Sequence, residues 1–263
     1  MSVTSEIVKR FVIDKLSVEI HPDRKTLGDA AAGAVGQQLR DVLRGQKDVR
    51  MVFAAAPSQD EFLAGLVQSE GIDWTRVTAF HMDEYLGLKR DDQRTFGWYL
   101  RQRIFGTVPF KKVEYLDSTA SPTDECRRYE ALLREAPIDI ACLGIGENGH
   151  LAFNDPPVAD FDDREFVKVV ALDEACKLQQ VHDGCFASLA EVPLSALTMT
   201  IPALLSGRML SVVVPGPRKA DAVRRALEGP VSIDCPASIL RTQKNAILYL
   251  DKQSSSLLSR NLA

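Results

Sequence analysis

No stretch of this 263-residue sequence approaches the roughly 18 consecutive apolar residues of a membrane-spanning helix, and a helical membrane protein is excluded. The five cysteines, Cys126, Cys142, Cys176, Cys185 and Cys235, are odd in number and include no C-x-x-C pair. Neither a disulfide framework nor a structural zinc site is expected from such spacing. The four histidines, His21, His81, His150 and His182, form no ligand-spaced pair either. A metal site built on His150 and Asp155 lacks a further histidine or cysteine at ligand spacing, so no metal is expected. There is no basic excess: 32 Lys and Arg stand against 36 Asp and Glu, for a net charge of −4. A nucleic-acid partner, which needs a basic stripe, is therefore not expected. A small anionic substrate needs only two or three local donors and stays possible. The first twenty residues interleave charges with apolar side chains and offer no signal-peptide core. With its thiols reduced, the protein is expected in the cytoplasm.

What is present is a globular composition, 45% hydrophobic and 26% charged, without internal repeat, low-complexity tract or marked linker. One domain over residues 1–263 is the simplest count. Apolar runs at 48–56, 75–82, 138–144, 208–214 and 245–250 read as strands, and helical periodicity fills much of the space between them. Ser58-Gln-Asp-Glu61 reads as a capping box opening a helix over 58–71. A helical stretch is expected near 96–105. Ser121 and Pro122 open another helix, and residues 217–229 form one that ends on Gly229. This alternation predicts a Rossmann-like α/β fold, a largely parallel sheet with helices on both faces. Ligands of such sheets sit beyond the carboxyl ends of the strands, here 54–59, 83–87, 144–157 and 215–219.

Four segments in those places can bear chemistry. Gly144-Ile-Gly-Glu-Asn-Gly149 matches G-x-G-x-x-G, but His150-Leu-Ala-Phe-Asn-Asp-Pro-Pro follows where a dinucleotide site needs a helix. Gly144 and Gly149 are better read as permitting close backbone approach to a small ligand, or a tight turn. His150, close in sequence to Asn148, Asn154 and Asp155, can act as acid or base near neutrality if a carboxylate holds it; a loop histidine bonded to backbone is the plainer alternative. Asp83 and Glu84 follow a strand, and in extended chain they point oppositely, so at most one need face a pocket. A strand-end aspartate partly withdrawn from water would have a raised pKa suited to proton exchange with carbon. Two helix starts, at Ser58 and at Pro217-Arg-Lys219, favour an anion through free N–H groups and the helix dipole.

Together these segments resemble the glucosamine-6-phosphate deaminase family, in the wider group that also holds 6-phosphogluconolactonase. The resemblance is borne by Phe80-His-Met-Asp-Glu-Tyr-Leu-Gly-Leu88 and by Leu143-Gly-Ile-Gly-Glu-Asn-Gly-His-Leu-Ala-Phe-Asn-Asp-Pro156, and it runs over most of the chain. Lactonases of the group usually follow the glycine–histidine pair with Thr-Ala-Ser-Leu-Phe-Pro, so Leu-Ala-Phe-Asn-Asp-Pro favours the amino-sugar branch. The resemblance implies an enzyme of the hydrolase/isomerase type that needs no cofactor. It would convert glucosamine 6-phosphate, or a close amino-sugar phosphate, to fructose 6-phosphate and ammonia. By position, Asp83 is similar to the base that moves a proton between C2 and C1, and His150 to the group that opens the sugar ring. Asp155 stands where the family has a glutamate orienting that histidine; one methylene shorter, it must approach more closely. Asn148 stands where members have aspartate or asparagine. Lys219 matches a phosphate-contacting lysine, and the loop holding Ala55, Ala56, Ser58 and Gln59 matches the phosphate loop.

The chain also departs from the family. Its loop reads Ala54-Ala-Ala-Pro-Ser-Gln59 where Thr-Gly-Gly-Thr/Ser-Pro is usual, and Pro57 can donate no N–H. The phosphate-binding arginine expected within 173–186 is missing; Gln180 falls near its place and Lys177 is the nearest cation. These departures keep two other readings open, a sugar-lactone hydrolase using His150 to activate water and a sugar-phosphate sensor without catalysis. A homo-oligomer is compatible with the sequence.

Overall fold

The computed structural model of the protein describes residues 7–259. It begins with a hairpin of β1 (Lys9–Ile13) and β2 (Leu16–His21), turning through Asp14 at φ 51°, a left-handed conformation that aspartate tolerates. Helix α1 (Arg24–Gly45) is opened by a reciprocal cap in which Asp23 accepts from the Thr26 amide at 2.8 Å and Thr26 Oγ1 accepts from the Asp23 amide at 3.3 Å. Then come β3 (Val49–Phe53), α2 (Asp60–Val67), β4 (Val77–His81), β5 (Asp83–Tyr85), α3 (Phe96–Leu100), β6 (Lys112–Glu114), α4 (Pro122–Arg134) and β7 (Ile140–Leu143). Beyond the glycine-rich loop follow β8 (Val167–Ala171), α5 (Glu174–His182), β9 (Ser195–Met199), α6 (Ile201–Leu205), β10 (Met209–Val214), α7 (Ala220–Glu228) and β11 (Ala246–Asp251).

The main sheet has eight strands in the order β1-β2-β11-β10-β7-β3-β4-β6. Every neighbouring pair is parallel except the β1–β2 hairpin. Strands buried on both faces read as unbroken apolar runs, which is why residues 48–56 and 208–214 are legible as strands. Alternation sends Val52, Val212 and Val214 into one core with α4 and α7, while Met51, Phe53 and Val213 enter the other with α1 and α2. Helices on both faces of a largely parallel sheet are as the alternating pattern predicts.

Two features escape the pattern. The chain leaves the main sheet at the end of β4 and, after Met82 alone, enters a second, antiparallel sheet in the order β5-β9-β8. Asp83 there stands opposite Thr198. The second is the start of the helix after β3. The capping box expected at Ser58 and Glu61 does not form. Pro57, Ser58 and Gln59 make a 3-10 turn, α2 begins at Asp60 without a side-chain cap, and Glu61 pairs with Arg24 at 2.6 Å. Pro57 opens the turn one residue before Ser58, so the serine lies inside it, and its hydroxyl accepts from Gln59 Nε2 at 3.2 Å at the edge of the pocket below. The stretch 96–105 also divides, into α3 and a π-helical turn at Arg101–Phe105. Ser121 precedes α4 with Pro122 in the first turn, but its hydroxyl makes no cap bond.

Helices α1 and α2 meet through glycine. A Cβ on Gly28 would lie 2.6 Å from Glu61 Cβ and 2.9 Å from the Phe62 amide nitrogen, whereas one on Gly33 would meet nothing within 4 Å. Gly33→Ala is therefore expected to stabilise by about 0.5–1 kcal/mol through helix propensity. Gly28→Ala is expected to destabilise by about 1–3 kcal/mol despite the same propensity gain. Urea denaturation midpoints check both; equal shifts of the same sign would contradict the packing argument.

Candidate active site

Because β7 lies between β3 and β10, with β4 beside β3, the loops after these four parallel strands open at one edge of the sheet. Together with α5 they enclose a pocket of about 570 Å³, counting its mouth. No helix follows the glycine motif, which instead leads into turns and a short bridge between Leu151 and Asn154.

One wall holds Asp83. Its backbone is fixed by pairing with β9, and its side chain is buried and faces the pocket. Among the described residues no donor reaches its carboxylate. Burial, then the Glu84 and Asp155 carboxylates, push its pKa well above the ordinary value. Glu84 points the other way and accepts from the amides of Phe96 at 3.1 Å and Gly97 at 2.8 Å, at the start of α3. Burial raises it to about 7 against the pull of those bonds. Strand alternation thus gives two adjacent carboxylates different work: one anchors a helix, the other faces the cavity unbonded.

The facing wall holds His150. Asp155 Oδ1 lies 2.8 Å from His150 Nδ1, with Asp155 almost wholly buried. Asn148 Nδ2 donates to Asp155 at 2.8 Å while its Oδ1 accepts the His150 amide at 3.0 Å. Burial works against ionisation of Asp155, but the His150 ring and the bonds from His150, Asn148 and Cys176 hold it below the usual range. An ionised aspartate behind Nδ1 leaves Nε2 as the exchanging nitrogen. Gly146 lies directly against that edge, since a Cβ there would fall 2.2 Å from His150 Nε2.

The third region suits an anion. Lys219 is buried, and no acceptor pairs with its ammonium among the described residues. Burial depresses its pKa against the attraction of Asp183 and Glu147. A buried, unpaired cation is costly unless a ligand supplies the counter-charge. The Ser58 hydroxyl borders the same region, as does Gln180, whose Oε1 accepts from the buried Tyr85 hydroxyl at 2.5 Å.

The pocket therefore brings together Asp83, His150, Ala55, Ala56, Ser58, Gln59, Gly144 and Lys219. Asn148 and Asp155 stand behind His150 instead of in the wall. Gly149 does not line the pocket, so its expected contact with ligand is corrected to a backbone role. Its φ of +91° turns the loop, and a Cβ would strike Cys235 Sγ at 2.6 Å. Lys177, expected as the nearest cation, is also outside the lining. Sequence reasoning missed the contact of Gly146 with His150, the tie of Tyr85 to Gln180, and the place of Gln179 and Asp183 in the wall. The α5 helix brings three of these positions across, and no spacing in the chain signals it.

The model of the family described as glucosamine-6-phosphate isomerases/6-phosphogluconolactonase matches residues 22–249. A glucosamine-6-phosphate deaminase of Exiguobacterium sibiricum is 38% identical over 73% of this chain and 75% of its own length. One from Listeria innocua is 34% identical over 78% and 86%. A solved monomeric glucosamine-6-phosphate deaminase superposes with a TM-score of 0.82 at 30% identity, over 91% of this chain and 99% of that one. The 6-phosphogluconolactonase of Thermotoga maritima, at a TM-score of 0.74 and 18% identity over 90% and 100%, shares the fold.

Burial of Asp83 has a consequence for stability. Folding raises its pKa, so between the ordinary carboxylate value and the raised one the folded state binds a proton that the unfolded state has lost. Stability owed to this group therefore falls as pH rises through that window. Asp83→Asn is expected to be more stable than the parent near pH 7, and the gain should shrink toward pH 4. Equal denaturation midpoints near pH 7 would contradict it.

Proposed function

The chain belongs to the glucosamine-6-phosphate isomerase/6-phosphogluconolactonase family, and from that premise we propose that it isomerises and deaminates glucosamine 6-phosphate or a close amino-sugar phosphate. The products are fructose 6-phosphate and ammonia. The observation that supports this most is the pairing, across one pocket, of an unbonded buried carboxylate with a carboxylate-backed histidine, beside an unpaired lysine.

In this reading the phosphate is held by Lys219, the Ser58 hydroxyl and the loop of Ala55, Ala56 and Gln59. His150, oriented by Asp155 and Asn148, takes the proton from the O1 hydroxyl and returns one to O5, opening the ring. The ionised fraction of Asp83 removes the proton from C2, made acidic by the C1 carbonyl, and delivers it to C1. The resulting iminium at C2 adds water and expels ammonia, so one water is consumed for each ammonia released. The work is isomerisation and deamination, and hydrolase describes only the net balance. The chemistry is general acid–base throughout and calls on no cofactor.

The lactonase reading asks only for His150 and the phosphate region; it gives no work to a buried, unbonded Asp83, and this favours the deaminase. A sensor without catalysis would have no use for the backed histidine. The pocket is complete within one chain, and the solved relative with a TM-score of 0.82 is monomeric. No helix among the described residues is long and apolar enough to cross a membrane, and the five cysteines are free thiols. The cytoplasm suits both.

Purified protein is expected to release ammonia from a hexosamine 6-phosphate, with Asp83→Asn binding substrate but turning over at least about 100-fold more slowly. Lys219→Met is expected to raise KM about 10–100-fold, the worth of a charge-assisted hydrogen bond. An enzyme that releases no ammonia from glucosamine, galactosamine or mannosamine 6-phosphate, and instead hydrolyses a phosphorylated sugar lactone, would overturn the proposal.

A further inference from the structure

The cysteines and histidines show no metal spacing along the chain, but the fold assembles one. Cys176, in the first turn of α5, is fully buried and comes up behind the His150–Asp155 pair. One donor atom from each of His150, Asp155 and Cys176 lies within 4.8 Å of the others. The second oxygen of Asp155, Oδ2, is buried and has no nitrogen or hydroxyl donor, which leaves the Cys176 thiol as the carboxylate's remaining partner. Cys176 is itself held in place, because its amide donates to the Asp173 side chain at 2.7 Å as part of the α5 cap. Imidazole, carboxylate and thiol together are the donor set of zinc and not of magnesium or calcium, which take oxygen alone.

From this juxtaposition we infer that His150, Asp155 and Cys176 form an inhibitory site for a soft divalent cation of the Zn²⁺ type. Metal bonds of about 2.0 Å to nitrogen and oxygen and about 2.3 Å to sulfur require His150 Nδ1 and Asp155 Oδ1, now 2.8 Å apart, to open slightly to admit the ion. On binding, the thiol proton is lost to solvent and the imidazole proton facing Asp155 moves to Nε2, so one proton is released. Three protein ligands leave the fourth position to water. Asp155 supplies negative charge at the cation; Lys219 opposes it from the anion region. Entry is from the pocket, past the imidazole that lines it. Once bound, the metal occupies the imidazole nitrogen that Asp155 orients, and His150 can no longer exchange protons with a substrate.

Titrating the purified full-length protein with Co²⁺ and following the sulfur-to-cobalt charge-transfer band tests this, whether or not the deaminase reading holds. One equivalent should produce the band and Zn²⁺ should remove it by displacement. Cys176→Ser and Cys176→Ala, with folding checked by circular dichroism, should give no band, and Zn²⁺ should bind them about 10–100-fold more weakly. On active protein, Zn²⁺ should stop ammonia release reversibly on chelation with EDTA. A wild-type protein without the band, or a band that persists in folded Cys176→Ser and so arises from another of the five cysteines, would overturn the inference.

Discussion

The site depends on a buried carboxylate that is given no partner. Asp83 is kept there because the chain crosses from one sheet to another over a single residue, Met82, whose carbonyl accepts from the Met199 amide at 2.7 Å. Both sides of the crossing are fixed by strand pairing, β4 with β3 and β5 with β9. The side chain cannot turn to solvent without breaking a ladder. Local freedom would let the carboxylate escape into water and resume its ordinary acidity; pairing on both sides denies it that freedom. Glu84, one residue on, faces the other way and binds the start of α3, so the same crossing also places the helix that brings Phe96 to the pocket.

Around that constraint the opposing charges are arranged by burial and distance. Asp155 stays ionised behind His150 because the ring and Asn148 offset its burial. Lys219 has no ion pair among the described residues, and only the attraction of Asp183 and Glu147 offsets its burial. A chain with a net charge of −4 can thus present a positive corner to a phosphate, because recognition there is decided within a few ångströms and not by the overall balance. Acidic side chains at the start of α2 are engaged elsewhere: Asp60 accepts from the Tyr99 hydroxyl at 2.7 Å, and Glu61 pairs with Arg24. These two are tied down, whereas Asp183 and Glu147 face Lys219 and attract its charge.

Periodicity made β3, β4, β7, β10 and β11 legible, since strands buried on both faces become continuous apolar runs, but not the parallel strands β2 and β6 or the 22-residue α1. Short elements were not legible. The three-residue strand β5 and the turn at residues 57–59 lack the length over which any period can be read, and their geometry follows from neighbours remote in sequence. The capping box at Ser58 shows the same limit. Its residue pattern was present, but Pro57 and Arg24 drew Ser58 and Glu61 into other geometry.

By itself the sequence determined the fold class, the loops in which chemistry would lie, and the residue types available there: a strand-end aspartate, a histidine among glycines and a lysine at a helix start. These follow from local rules of burial, turn formation and charge that act over a few residues. Tertiary structure alone decided which side chain of the Asp83–Glu84 pair meets the pocket and that Gly146 must lack a side chain to admit the imidazole. It also decided that Gly149 serves the backbone, and that Cys176 joins His150 and Asp155 from 21 residues beyond the aspartate. These are distances between segments far apart in the chain, fixed by the packing of α5 and the pairing of a second sheet, and no spacing in the sequence encodes them.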